Sequence, residues 1–393
     1  MTSFTFDPLS APRFRDGTGG LLKQRPEDFL VYEIPMYEPC GEGEHLYVRI
    51  RRHGVSHDEM ISTVARTWGV KIRDIGFAGI KDTKAVTEQT VSIHLPEGRD
   101  QPSVDDERIN VLWTDRHGNK LRRGHLDGNR FVVRIREVNP LNVTIAWERL
   151  QAMAEQGVPN AFGPQRFGRV GDNHLLARML LLEDWDGLAA RLADGRGGSL
   201  ESRIRRSLED GSSPARACRL IPGRMRRFWN DSLQSAIFNA VLSARMDRGD
   251  WSRPVVGDMV WNHDTRRTFL FRDEDRHDEA TMHRIEEGAL VPTGPMWGRA
   301  MRSPADDVAD FEQEVIDGID PELAGLLVDA GRSKGTRRPL AVRLTHPAAQ
   351  SEMDQHGGCI MVQFELPPGA YATSVLRELI GAESPASPSL EEV

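Results

Sequence analysis

A short charged string that contains one carboxylate lies in a predicted loop between two strands. The string 81–84 (Lys-Asp-Thr-Lys), which contains Asp82, lies between two predicted strands at 75–80 and 90–95. A loop between strands can present a side chain to a bound molecule while the sheet fixes its position. A single carboxylate there can act as a nucleophile or as a base. An ordinary solvated turn has the same composition, and on this string alone the turn is the better interpretation.

Motifs for the common cofactors and nucleophiles are absent from the sequence. There is no G-x-x-x-x-G-K-[ST], G-x-G-x-x-G, H-E-x-x-H or G-x-S-x-G, so the usual nucleotide, dinucleotide, zinc-protease and serine-hydrolase functions lose their support. His53 and His57 are four residues apart, but Gly54 precedes the helix cap at Ser56, so the two are not expected to share a helical face. The three cysteines have no C-x-x-C spacing and are predicted to be reduced thiols. The sequence therefore implies no metal.

Hydrophobic periodicity predicts the elements that must position the charged string. Alternation over 45–51 is typical of a half-buried strand. Ser56 and Glu59 form a capping box that begins a helix, and Gly69 supplies its end. A further alternating strand at 129–136 carries arginines along one face. The string with Asp82 is thus expected in a loop between strands of a sheet.

The remaining periodicity divides the chain into β-rich, α-rich and β-rich parts. The predicted elements are helices at 142–156, 172–182 and 225–246, strands at 340–344 and 358–366, and a last helix at 373–380. A length of 393 residues fits two domains. The pattern agrees with three domains or with one domain that is interrupted by an insertion, and periodicity does not choose between them.

Charge is unevenly distributed along the chain. The net charge is −8, yet 305–322 holds eight acids and no base. The stretch 117–136 has six bases against one acid, and 196–229 has nine against three, so both could face phosphate. Six of the 51 basic residues are lysines, which leaves 45 arginines. Arginine suits phosphate, although a GC-rich genome produces the same bias.

Segments for export or membrane insertion are not recognisable. The N-terminus lacks a signal peptide, and no apolar run approaches the ~20 residues that a membrane span needs. A soluble, cytoplasmic protein without membrane contact is expected.

Seven unusual strings occur in order along the chain. They are 23–29 (KQRPEDF), 76–87 (GFAGIKDTKAVT), 128–131 (GNRF), 157–169 (GVPNAFGPQRFGR), 234–239 (QSAIFN), 335–338 (GTRR) and 366–378 (LPPGAYATSVLRE). In this order they resemble the TruD family of transfer RNA pseudouridine synthases. Seven ordered matches are specific, whereas any one of them alone is weak.

The resemblance implies a fold and a domain organisation. The fold is α/β (α+β), with a pseudouridine-synthase catalytic domain of mixed β-sheet that is interrupted by an inserted α/β TRUD domain. The implied boundaries are 1–156 and 304–380 for the two parts of the catalytic domain, 157–303 for the insertion, and 381–393 for a disordered tail. Of the two organisations left open by periodicity, the interrupted domain is thereby favoured.

The resemblance also implies an activity. Family members isomerise a uridine, typically uridine 13 of transfer RNA, to pseudouridine without a cofactor, and a monomer is expected. Asp82 matches the catalytic aspartate. Lys23 matches the cleft lysine, whose positive charge favours the ionised carboxylate beside a polyanion. Lys81 and Lys84 rank below Lys23 because neighbouring side chains can point apart.

Substrate binding is assigned by the same matches. The flipped base needs ring faces and polar partners, and the candidates are Phe29, Asn129, Phe131 and Tyr371. Phe131 as a core residue and Asn129 as a turn residue remain alternatives. Gln165, Arg166 and Arg169 could contact the RNA backbone or serve to dock the inserted domain.

Two other functions stay open. One is a catalytically inactive RNA-binding protein of the same fold. The other is a sugar hydrolase that uses paired carboxylates, such as Asp82 and Glu88. The first keeps the RNA partner, whereas the second needs none.

Overall fold

The computed structural model describes residues 14, 16–95, 104, 106–195, 198–329 and 333–381. These residues form two units. The mixed-sheet unit comprises the described residues of Pro12–Val158 and Arg343–Val393. The described part of the helical unit is Pro159–Val342. The mixed-sheet unit is therefore built from two parts of the sequence that flank the helical unit.

Strands and helices alternate irregularly along the chain. Within the described residues the strands are, in chain order, β1 (Phe29–Pro35), β2 (His45–His53), β3 (Ile75–Phe77), β4 (Val86–His94), β5 (Ile109–His117), β6 (Leu126–Ile135), β7 (Val158–Pro159), β8 (Met259–Asn262), β9 (Arg267–Leu270), β10 (Leu290–Met296), β11 (Thr336–Pro339), β12 (Ala341–Val342), β13 (Thr345–Asp354) and β14 (Gly357–Leu366). The α-helices are α1 (His57–Trp68), α2 (Val143–Gln156), α3 (Asn173–Leu181), α4 (Trp185–Asp194), α5 (Ser199–Glu209), α6 (Pro214–Cys218), α7 (Gly223–Arg248), α8 (Glu279–Glu286), α9 (Asp306–Ile319), α10 (Leu323–Asp329) and α11 (Ala372–Ile380).

A mixed sheet forms the centre of the mixed-sheet unit. Its order is β13-β14-β6-β1-β4-β2-β5, with β3 paired to β4. β1 and β4 are parallel, and the other pairs are antiparallel. β1 pairs with the first residues of β4 and β3 with its last residues, so the connection from β3 to β4 must run back beside β1. The predicted mixed α/β fold is confirmed.

Helix α1 packs on β2, β3 and β4. Its two ends agree with the capping signals in the sequence. The Ser56 hydroxyl accepts a hydrogen bond from the Glu59 amide, and Gly69 ends the helix in the left-handed region at φ 62°. The buried side chains of α1, among them Met60 and Val64, pack on Val48 of β2. The capping box therefore predicted this helix to within a residue or two.

Three of the seven unusual strings meet inside the helical unit. The Asn239 side chain both accepts from the amide and donates to the carbonyl of Phe162, at 2.9 Å each. The Arg166 guanidinium donates to the Ser235 hydroxyl at 2.9 Å, and Arg338 lies 4.2 Å over the Phe162 ring. These strings thus hold the inside of this unit together, which gives Arg166 a structural role that the sequence left open.

The helical unit extends further than the predicted insertion 157–303. β11 pairs with β10, and Arg337 on β11 forms a buried ion pair with Glu312 on α9 at 2.6 Å. Arg337 also donates to the Thr293 carbonyl on β10 at 2.6 Å, so the described residues of 304–342 belong to this unit, and the mixed-sheet unit resumes at Arg343. The acidic stretch 305–322 is accordingly not all solvent-exposed, because Glu312 is buried.

Several elements were not predicted from periodicity. The missed strands are β1, β5, β7, β8, β9, β10, β11 and β13, the missed helices are α4, α5, α6, α8, α9 and α10, and the strand predicted at 340–344 reduces to Ala341–Val342. The predicted disordered tail 381–393 lies outside the described residues except for Gly381. No helix in the described part of the chain is both long and apolar enough to cross a membrane.

Gly76 on β3 allows the loop 118–125 to dock beside the sheet. A Cβ atom at this position would lie 2.2 Å from the carbonyl oxygen of Leu121 and 2.5 Å from the hydroxyl oxygen of Ser92. At Gly118, in the same loop, a Cβ atom would meet nothing within 4 Å. Only the first glycine is therefore required by close approach of the backbone.

We expect Gly76→Ala to lower the thermal unfolding midpoint, because overpacking costs roughly 1–3 kcal/mol. Gly118→Ala is the matched control and should leave the midpoint unchanged or raise it slightly. Differential scanning calorimetry of both variants provides the measurement. Equal midpoints would contradict the docking role of Gly76.

Candidate active site

An exposed carboxylate stands over a buried ammonium in the mixed-sheet unit. Asp82 lies in the connection from β3 to β4, and its Oδ2 is 3.6 Å from Nζ of Lys23. The Asp82 side chain is 46% exposed, whereas that of Lys23 is 5% exposed. Asp82 can therefore reach a bound molecule while its countercharge stays out of water.

The surroundings of Lys23 disfavour its charge. Burial lowers the pKa of Lys23, and the neighbouring Asp82 carboxylate opposes that change. The ammonium also lies 4.1 Å from the centre of the Phe29 ring, close enough for a cation–π attraction. The Lys23 backbone has φ 52°, in the left-handed region that non-glycine residues seldom occupy. Strain of this kind concentrates at functional sites.

Two buried cations hold the loop that carries Asp82. The Arg52 guanidinium, 1% exposed, donates to the Lys81 carbonyl at 2.7 Å and the Thr87 hydroxyl at 2.8 Å. Burial lowers the pKa of Arg52 to about 10, while the Asp82 charge raises it. Lys81 itself is ion-paired with Glu33 on β1 at 2.8 Å. The residues on either side of Asp82 are thus fixed, which leaves its carboxylate a narrow range of positions.

Two of the aromatic candidates, Phe29 and Phe131, do not offer open ring faces. Phe29 and Phe131 are 1% and 6% exposed. Their rings meet edge to face at 6.1 Å, and Phe131 stacks on Phe364 at 5.5 Å. The expectation that Phe29 and Phe131 stand free to stack on a base is therefore not met in this conformation. The ring of Phe364 already covers one face of Phe131.

Asn129 and Tyr371 complete the predicted set. Asn129 lies on β6, opposite Glu33 of β1 and Leu366 of β14. Its Oδ1 atom is buried and has no hydrogen-bond partner among the described residues. Tyr371 precedes α11 and is 42% exposed. An unsatisfied buried acceptor is costly, so Asn129 is suited to meeting a ligand donor.

Arg52 and Glu33 were missed by the sequence analysis, although Arg52 had a signal. The alternation of Leu46, Val48 and Ile50 on β2 continues to Arg52, which places a cation on the apolar face. Such an arginine must find internal partners. Glu33 had no signal because β1 was not predicted.

Glu88, the second carboxylate of the hydrolase alternative, is engaged elsewhere. Its Oε1 accepts from Nε and Nη2 of Arg51 at 2.8 Å and 2.6 Å, and Arg49 lies 3.7 Å away. Among the residues that the structure describes, no group of three His, Cys, Asp or Glu side chains is arranged to hold a metal ion. Asp82 with Lys23 is the pair that the geometry offers for chemistry.

Comparisons with known proteins agree across the chain. The family model described as tRNA pseudouridine synthase D (TruD) matches residues 14–196 and 195–379. A tRNA pseudouridine synthase D of Geobacter sulfurreducens is 38% identical over 93% of this chain and 94% of its own length. That of Anaeromyxobacter dehalogenans is 34% identical over 98% of both chains.

A solved structure is similar in fold. The crystal structure of a putative tRNA pseudouridine synthase D (TruD) from Methanosarcina mazei has a TM-score of 0.77 at 24% identity, over 95% of this chain and 96% of the other. At this identity the likeness shows the fold.

We expect Asp82→Asn to lower the pKa of Lys23 further, because the carboxylate charge and its hydrogen bond both raise it. The chain has six lysines, so an NMR titration with lysine labelled at Cε can follow each of them. The exposed Lys71 is the internal control and should titrate identically in both proteins. A Lys23 pKa that stays the same in the variant would show that the two groups are not coupled.

Proposed function

The chain belongs to the tRNA pseudouridine synthase D (TruD) family, and from this membership we propose that it isomerises uridine 13 of transfer RNA at Asp82. The observation that carries the proposal is the exposed Asp82 carboxylate fixed 3.6 Å above the buried Lys23 ammonium. In this proposal the mixed-sheet unit, which holds both residues, is the catalytic domain. The helical unit is the inserted domain.

The reaction rearranges bonds within one nucleotide. The bond from N1 of uracil to C1′ of the ribose breaks, the base turns, and a bond from C5 to C1′ forms. C5 loses its proton and N1 gains one, so the product is an isomer and no oxidant or reductant is needed. Asp82 supplies the carboxylate, either as a nucleophile at C1′ or as a base that removes the 2′ proton.

Lys23 has the role of favouring the ionised form of Asp82. RNA brings phosphate charges close to the site, and like charges disfavour a carboxylate. The Lys23 ammonium lies under Asp82 and is shielded from solvent, so salt screens their attraction less than it screens an exposed pair. Phe29, whose ring faces the ammonium, adds a further attraction for the charged lysine.

Recognition of the uracil falls to the polar and aromatic residues around this pair. Asn129 has an unsatisfied buried Oδ1 that can accept from the N3–H group of uracil. Phe131, two residues further on β6, contacts the base after a small movement of the Phe29 and Phe364 rings. Tyr371 offers an exposed ring and hydroxyl. A monomeric, cytoplasmic enzyme that needs no cofactor completes the proposal.

Two alternatives are less well supported. An inactive RNA-binding protein has no need of a strained, buried lysine held against an exposed aspartate. A hydrolase needs two carboxylates flanking one bond, but Glu88 is paired with Arg49 and Arg51.

Asp82→Asn should abolish pseudouridine formation while the fold and RNA affinity persist, because the change removes the reacting charge and little volume. Glu88→Gln is the matched control and should keep turnover within a few-fold. The measurement is nucleoside analysis of a transfer RNA transcript after incubation with each protein. Robust product from Asp82→Asn would refute the mechanism, and loss of product in both variants would show that Glu88 is required as well.

Phe131→Leu should reduce turnover about 10-fold or more in the folded fraction, since stacking on a base is worth roughly 1–3 kcal/mol. Phe364→Leu removes the neighbouring ring of the same buried stack and is the control for lost packing. Both variants should lose stability, but only Phe131→Leu should lose activity per folded molecule. Equal activity of the two folded variants would assign Phe131 to the core alone.

A further inference from the structure

A basic cavity in the mixed-sheet unit is lined by residues other than Asp82 and Lys23. It has a volume of about 480 Å³, within the range of small-ligand sites. The cavity is lined by Tyr37, His117, Asn119, Lys120, Arg122 and His125, and we name it the Tyr37 pocket. None of these lining residues is acidic. The composition favours an anionic ligand that also has an apolar face.

One wall of the Tyr37 pocket is aromatic and internally braced. The Tyr37 ring stacks on His117, with centroids 5.2 Å apart and planes 23° from parallel. The Tyr37 hydroxyl is 2.8 Å from Nδ1 of His125. The Tyr47 hydroxyl donates to the Asn119 carbonyl at 3.0 Å behind this wall. A flat ring that is held in place loses little entropy when a base stacks on it.

The other wall supplies cations. Arg122 and Lys120 line the pocket, whereas the adjacent Arg123 turns away to the ring of Phe77 at 5.5 Å. Arg122 is exposed and Lys120 is half-buried. Both lie in the basic stretch 117–136, which the sequence analysis expected to face phosphate. Arginine and lysine on one side and a ring on the other is the combination by which proteins hold single-stranded nucleic acid.

The loop that forms this wall is hydrogen-bonded to the connection from β3 to β4, which carries Asp82. The amide of Gly124 donates to the carbonyl of Ala78 at 2.9 Å. Ala78 stands four residues before Asp82, so chain geometry limits the separation of their Cα atoms to about 14 Å. The Tyr37 pocket and the reacting carboxylate therefore lie within reach of one folded RNA.

A neighbouring cavity does not extend the pocket. It shares Tyr37 and His125 with the Tyr37 pocket and is also lined by Glu33, but its volume is about 10 Å³. This space is at the lower limit for one water molecule. This space is therefore too small to extend a ligand from the Tyr37 pocket to Glu33.

We propose that the Tyr37 pocket binds a second nucleotide of the transfer RNA, outside the uridine that reacts. The base of this nucleotide stacks on Tyr37 and its phosphate pairs with Arg122 and Lys120. The inference rests on the proposed function for the identity of the RNA, but the pocket has its own residues. Its role is to position the substrate, so these residues affect affinity and leave the chemical step unchanged.

The charge of the pocket is tested with Arg122→Gln and the exposed Arg66→Gln of α1 as the matched control. With a transfer RNA transcript as the probe, Arg122→Gln should raise Kd about 10-fold and reduce the salt slope of log K by about 1, as loss of a phosphate contact does. Arg66→Gln should bind within about two-fold of the unchanged protein. At saturating RNA, Arg122→Gln should form product at the unchanged rate.

The ring of the pocket is tested separately with Tyr37→Leu and Tyr37→Phe. Tyr37→Leu should raise Kd about 5-fold or more with an unchanged salt slope, because it removes stacking and no charge. Tyr37→Phe keeps the ring but removes the hydroxyl that contacts His125. It should bind the transfer RNA nearly as well as the unchanged protein does. This difference separates base stacking from nonspecific attraction.

The outcomes distinguish the pocket from the proposed activity. Unchanged affinity in Arg122→Gln and Tyr37→Leu would overturn the pocket, and so would an equal loss in Arg122→Gln and Arg66→Gln. These affinity measurements need no turnover. If the unchanged protein makes no pseudouridine in any transfer RNA while Arg122→Gln and Tyr37→Leu bind weakly, the pocket stands and the proposed activity falls.

Discussion

A buried ammonium beneath an exposed carboxylate is the constraint on which the site depends. Lys23 loses most of its hydration, which disfavours its charge, and a nearby negative group favours that charge. Asp82 is that group, at 3.6 Å. A solvated loop would let Asp82 move away from Lys23. The attraction between the two groups therefore stabilises the charged lysine only when the loop is fixed. The site therefore requires a rigid support as much as it requires the two charged residues.

The mixed sheet provides the support through the way β4 is paired. β1 and β3 pair with the same edge of β4, so the connection from β3 to β4, which carries Asp82, runs back beside β1. There Lys81 reaches Glu33, while Arg52 reaches the Lys81 carbonyl from β2. Three strands thus contribute to the position of one carboxylate. The same connection passes Ala78, where the loop that lines the Tyr37 pocket is attached.

The sequence predicted the local elements better than the environment of the candidate site residues. The Ser56 box gave α1 because capping is encoded within four residues. The ordered strings indicated Asp82 and Lys23, but strings do not reveal burial, so Phe131 was expected as an open stacking face and is enclosed by Phe29 and Phe364. The resemblance implied an insertion that ends at 303, whereas the pairing of β10 with β11 places 336–339 in the helical unit, and a long-range contact of this kind is not visible in the matching strings.

The central claim is that the Lys23–Asp82 pair modifies uridine 13 of transfer RNA, and mapping pseudouridine at single-nucleotide resolution tests it most directly. Cells that lack the gene are supplied with an unchanged copy or with a Lys23→Gln copy that accumulates to the same level. We expect the modification at position 13 to disappear without the gene, to return with the unchanged copy and to remain absent with Lys23→Gln. Pseudouridine that persists without the gene, or full restoration by Lys23→Gln, would contradict the claim.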